Sequence, residues 1–111
     1  MSDALAHIRA SLGLARDHGL DETLSWGLLA AAAIAGARRS WTDAAKLLGA
    51  AAALQERLEM GSYYTFGEDF AERTDRTVRD RLGEESFVEA ANSGRSMPLA
   101  QVIELAFDAV E

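Results

Sequence analysis

RSWTDAAKLLGAAAALQERL, residues 39–58, decides how the chain folds. It carries six alanines and one glycine behind a single tryptophan. Trp41, Ala44, Leu47, Leu48, Ala51, Leu54 and Leu58 recur at helical spacing and make a wide apolar stripe. Beside it runs a smoother stripe of Ala45, Gly49 and Ala52. Ser40 stands where a helix cap is expected, and Asp43 falls in the first turn, where the helix dipole favours an acid. Gly49 costs about 1 kcal/mol against alanine inside a helix. Its presence predicts that another backbone comes close, because small residues let two helices approach. The helix is smooth because neighbours press on it.

Working outward, residues 22–38 follow a capping Asp21 and read as a helix that is apolar nearly all round. A helix without a polar face needs cover on several sides. An earlier helix is expected over residues 3–18, with Leu5, Ile8, Leu12 and Ala15 on one stripe and Gly19 as its stop. EMGSYYTFGE, residues 59–68, is the clearest break. A charged helix is expected over residues 68–82, where Asp69–Arg73, Glu72–Arg76 and Asp75–Arg79 have the spacing of intrahelical ion pairs. Gly83 ends it. A short helix holding Phe87, Val88 and Ala91 is closed by NSGRS, residues 92–96. Ser96 then caps a last helix with Pro98 in its first turn and Leu99, Val102, Ile103, Ala106 and Val110 on its buried stripe. The expected fold is all-α, with about six antiparallel helices joined by short turns.

The totals exclude several classes. At 111 residues the chain forms one domain, residues 1–111, and it has no cysteine for disulfide or thiolate chemistry. Eighteen acids against 11 bases give a net charge of −7. That argues against direct nucleic-acid binding, whose affinity comes largely from neutralising phosphates. The longest uncharged run, residues 23–37, is too short to span a bilayer. The opening MSDALAHIRA lacks the basic and apolar regions of a secretory signal. The expectation is a cytoplasmic protein without a membrane segment.

Residues 22–58 read as a hairpin with the register of a tetratricopeptide unit: a small residue where the helices cross and an aromatic opening the second helix. Ala32 takes the small position, Trp41 the aromatic one, Ala44 the alanine that follows it and Ala51 a further small position. The order of segments from residue 22 to 110 resembles the C-terminal helical region of large bacterial LuxR-type and related ATP-dependent transcriptional regulators. The matching pieces are Ala45–Ala51, Leu82–Phe87 and Gly94–Ala106. The resemblance implies hairpins stacked as a short right-handed tetratricopeptide-like array, with residues 68–111 as C-terminal capping helices. The chain departs from the family pattern at Arg39–Ser40, where glycine is usual, and at residues 62–66, where a proline-rich link is usual. No G-x-x-x-x-G-K-[ST] motif occurs, so the family's phosphate-cradling loop is absent.

No residue pattern names a reaction. His7 and His18 are the only histidines and lie roughly 16 Å apart along one helix, too far to share a metal ion. Adjacent acids such as Glu84 and Glu85 sit at helix starts, where the dipole explains them. No enzyme, cofactor or metal role is expected. The arginines of residues 73–81 read as a solvated face laced with acids, except Arg81, which falls on the apolar side and would pair with an acid or reach into a groove. Tyr63 and Tyr64 are candidate anchors for a partner, since loop aromatics often serve so. Leu14 flanks the stripe of the first helix and is a candidate for self-contact.

The leading expectation is a non-enzymatic interaction and self-association module that holds a protein or peptide partner, with a homodimer formed through the first two helices. The alternative is a small-molecule sensing domain with a pocket between the helices of residues 22–38, 40–58 and 68–82, lined by tryptophan and arginine.

Overall fold

A computed structural model describes residues 6, 8–10, 12–14, 17, 21–58 and 65–110. The side chains at 21–23, 25–26, 55, 57–58 and 65–71 fall outside that description, as do His7, His18, Tyr63 and Tyr64 altogether. Helical residues 6, 8–10, 12–14 and 17 precede five helices: α1 (Asp21–Ala37), α2 (Trp41–Leu58), α3 (Thr65–Leu82), α4 (Glu84–Ser96) and α5 (Leu99–Val110). Among the described residues there is no strand. The fold is all-α.

α2 is the central helix and touches each of the other four. Ala44, Ala45, Leu47, Leu48, Gly49, Ala50 and Ala51 are all buried, which leaves only Lys46 partly exposed along that run. Ala32 of α1 is fully buried as well. The expected approach at Gly49 is made by α4. A Cβ on Gly49 would lie 2.9 Å from the Cα of Ala91 and closer still to its carbonyl oxygen. Gly94 repeats the contact from the other side, with the Cα of Lys46 2.8 Å from where its Cβ would be. Two glycines thus let two backbones touch. Gly94 was expected in a turn, yet it lies buried inside α4, which runs on to Ser96. NSGRS is therefore helical. The glycine within it is there for contact.

The boundary between α4 and α5 shifts for the same reason. Ser96 is the last residue of α4, not the cap of the next helix. Met97 turns extended (φ −69°, ψ 140°), as a residue before proline must. The carbonyl of Pro98 accepts the N–H groups of Gln101 and Val102, which starts α5. Leu99, expected on the buried stripe, is 39% exposed, and Val88 is 42% exposed, while Phe87, Ala90, Val102, Ile103, Ala106 and Val110 are buried.

α1 and α2 form the expected hairpin. Arg39 adopts a left-handed conformation (φ 64°) between them. Ser40 N–H donates to the Ala35 carbonyl at 2.8 Å and Arg39 N–H to that of Gly36 at 3.0 Å. This is the double bond pattern with which a helix stops at a left-handed residue, usually glycine. Ser40's carbonyl then accepts the N–H of Ala44 at 2.9 Å and opens α2. The Trp41 ring lies over Gly36 and closes the hairpin.

α5 comes back to α1, and α4 packs chiefly on α2 and far less on the preceding α3. The apolar α1 is covered within the chain by α2, α3 and α5, and by the fully buried Leu12 set against Gly27. Arginines complete the closure. Arg38 donates to the Ala109 carbonyl at 2.8 Å and Arg9 to that of Val110 at 3.1 Å. Both satisfy carbonyls that the end of α5 cannot bond itself, and both bring positive charge to its negative pole.

Candidate functional site

Over residues 72–82, where its side chains are described, α3 is thinly anchored. Among its described side chains only Val78 is buried in the core, with Leu82 half-buried beside it. A helix held along one narrow stripe leaves space on both flanks. Each flank is a groove.

The larger groove, of about 750 Å³, has Leu29 of α1 and Leu48 and Ala52 of α2 as its floor. Its rim carries Glu72, Asp75 and Asp80 of α3 and Glu84 of α4, against Arg76 and Arg79. Arg79 is already committed. Its Nε donates to Asp75 Oδ2 at 2.7 Å, its Nη1 pairs with Glu84, and its guanidinium sits 4.1 Å from the Phe87 ring centre. The hydrogen bond to Asp75, then that to Glu84, raises the arginine's pKa above its ordinary value. The rim is therefore net acidic, over an apolar floor.

The other flank has the opposite sign. Two smaller cavities, of about 450 Å³ and about 370 Å³, lie against Trp41 and share Gly36, Ala37 and its indole. Arg73 lines the first, while Arg39 and Arg81 line the second. No acidic side chain is among the described residues that line either. Arg81 reaches over the Trp41 ring, 5.8 Å from its centre, and pairs with no acid among the described residues. Of the two roles open to it in the sequence, groove lining is the one it takes. The four arginines of residues 73–81 are thus sorted: Arg76 and Arg79 to the acidic groove, Arg73 and Arg81 to the tryptophan.

Of the other candidate contacts, Leu14 is 56% exposed on the helical segment before α1. It lines neither groove. Tyr63 and Tyr64 lie outside the described residues. Ala32, Trp41, Ala44, Gly49 and Ala51 lie in the α1–α2 hairpin; the alanines are fully buried and Trp41 is partly exposed. Sequence reasoning missed Arg39 as a lining residue. The signal was available, since a bulky residue at the usual glycine position invites a reason. It also missed Glu72, Asp75, Asp80 and Glu84 as one rim, because nothing in their spacing shows that α3 leaves a groove over Leu29, Leu48 and Ala52.

Among the described residues no three His, Cys, Asp or Glu side chains gather as a metal ion would require. No helix among them is long and apolar enough to cross a membrane. Comparison of the chain with known protein families, with curated proteins and with solved structures returns no match. The fold and its grooves define a small closed helical domain with two surfaces of opposite charge.

Proposed function

We propose that the chain is a non-enzymatic interaction module that holds a basic amphipathic segment of a partner protein in the larger groove. The single observation that carries this is the pairing of an apolar floor (Leu29, Leu48, Ala52) with a net acidic rim. A helix laid in such a groove buries its apolar face and sets its basic flank against the carboxylates. The resemblance to LuxR-type regulators supports placing that interaction in bacterial transcription control within the cytoplasm. The test is a photo-crosslinking residue at Ala52 in the native cell, with Gln101 on an exposed face of α5 as control. A discrete adduct from Ala52 alone, lost in Asp80→Lys, is expected. Identical adducts from both positions, or an Ala52 adduct that survives Asp80→Lys, refute the groove.

Self-association is a second form of the same module, and exposed Leu14 supports it. Sedimentation equilibrium at micromolar concentration should show a dimer that Leu14→Glu disrupts, and a single 11.9 kDa species removes it. The second reading, small-molecule sensing, is favoured by the cavities that flank Trp41.

A further inference from the structure

Arg39 sits where the chain would be better served by glycine. Its left-handed φ of 64° is a conformation that only residues without a Cβ reach freely, and among the described residues its side chain makes no hydrogen bond or ion pair. Strain of this kind is retained where a side chain has another use. That side chain lines the cavity of about 370 Å³ beside Trp41, together with Arg81. The adjoining cavity, of about 450 Å³, is walled by Ala33, Val78 and the indole, with Arg73 and the hydroxyl-bearing Thr74 and Thr77 at its side. Three guanidinium groups without a lining acid are anomalous in a chain of net charge −7.

We propose that this site binds a small organic anion, an apolar ring or short chain bearing one carboxylate or phosphate. The proposal deepens the sensing reading and is independent of the partner groove, with which the site shares no lining residue. The apolar body lies in the cavity between Ala33, Val78 and Trp41. The anionic head faces Arg39 and Arg81, whose planar guanidinium groups suit carboxylate and phosphate alike. Each cavity is of a size that holds small ligands. Binding at Trp41 also bears on the hinge of the α1–α2 hairpin, because the indole closes it over Gly36.

The experiment is a titration of the isotope-labelled full chain, followed by the indole N–H signal of Trp41, which Trp41→Phe identifies. Three probes are compared: 2-naphthoate, 2-naphthyl phosphate and the neutral 2-naphthamide. At least one charged probe should shift the Trp41 indole and the Gly36 and Ala37 amides saturably, about tenfold more tightly than the amide. Arg39→Gly and Arg81→Gln should each weaken it about fivefold or more. Arg39→Gly relieves strain, so its lost binding cannot be ascribed to a failed fold; its urea midpoint should rise. Equal affinity for all three probes, or undiminished binding in both arginine variants, overturns the proposal. So does tighter binding of a glutamate–phenylalanine–glutamate tripeptide than of either naphthyl anion, which would make the occupant a peptide. None of these results touches the crosslinking outcome at Ala52.

Discussion

Along one flank of α2, Gly49 admits the backbone of α4; along another, Leu48 and Ala52 face α3 across an open groove. The residues of α2 are apolar and uncharged on both flanks, so α2 itself does not make the difference. α4 brings Ala91 and Gly94 to the contact, while the described side chains of α3 are mostly long and charged, with one core valine. Small against small closes to backbone contact. Apolar against charged leaves a groove, because carboxylates and guanidinium groups stay hydrated and do not fill apolar space.

The largest effect should come from spoiling the closed side. Gly49→Ala and Gly94→Ala each place a methyl group on a neighbouring backbone, which cannot rotate away. Propensity alone would reward either change by about 1 kcal/mol. Overpacking should outweigh that and cost on the order of 3 kcal/mol, read as a lower urea midpoint. The double variant should cost less than the sum, since widening the crossing for one methyl makes room for the other. Strict additivity would mean that the two glycines do not share one crossing.

Next comes the open side. Val78→Ala removes the one described core anchor of α3 and should cost about 2 kcal/mol. Hydrogen exchange should then accelerate in α3 while the amides around Gly49 keep their protection. Uniform acceleration in both regions would show that α3 is as firmly built in as α4.

The sequence made one half of this contrast readable. Gly49 was legible because glycine in a helical stripe is costly without a neighbour, and Trp41 because a large aromatic at a helix entrance has a turn to close. Gly94 was not legible. Asn, Ser and Gly around it favour turns in isolation, and only the contact with Lys46 explains a helix there. The start of α3 at Thr65, three residues before the expected Glu68, was likewise hidden by a run rich in glycine and aromatics. The return of α5 to α1 depends on which apolar face remains uncovered once α4 has docked, and no local pattern carries that. Arg39 was visible as a departure from glycine, but its purpose appears only beside Arg81.

Arg39→Gly is the one substitution expected to stabilise. It removes a left-handed non-glycine residue and should raise stability by about 1 kcal/mol. No gain in urea midpoint would mean that the hairpin turn relaxes around arginine at no cost, and the argument from strain would lose its footing.

The smallest effect tests whether charge helps to hold the closed side shut. Arg95 at the end of α4 pairs with Glu56 of α2 at 2.6 Å, with side chains 39% and 63% exposed. An ion pair this exposed is screened by water and salt and is worth less than about 0.5 kcal/mol. The same two helices already meet backbone to backbone at Gly49 and Gly94, so their geometry is set before the side chains pair. Arg95→Gln should therefore leave the urea midpoint nearly unchanged at low and at high salt. Arg79→Gln should do more, though still below about 1 kcal/mol, because Arg79 joins Asp75 of α3 to Glu84 of α4 and lies on Phe87 where little else ties those helices. If Arg95 proves the more costly of the two, charge is part of what closes the α2–α4 crossing and the glycines are not sufficient for it.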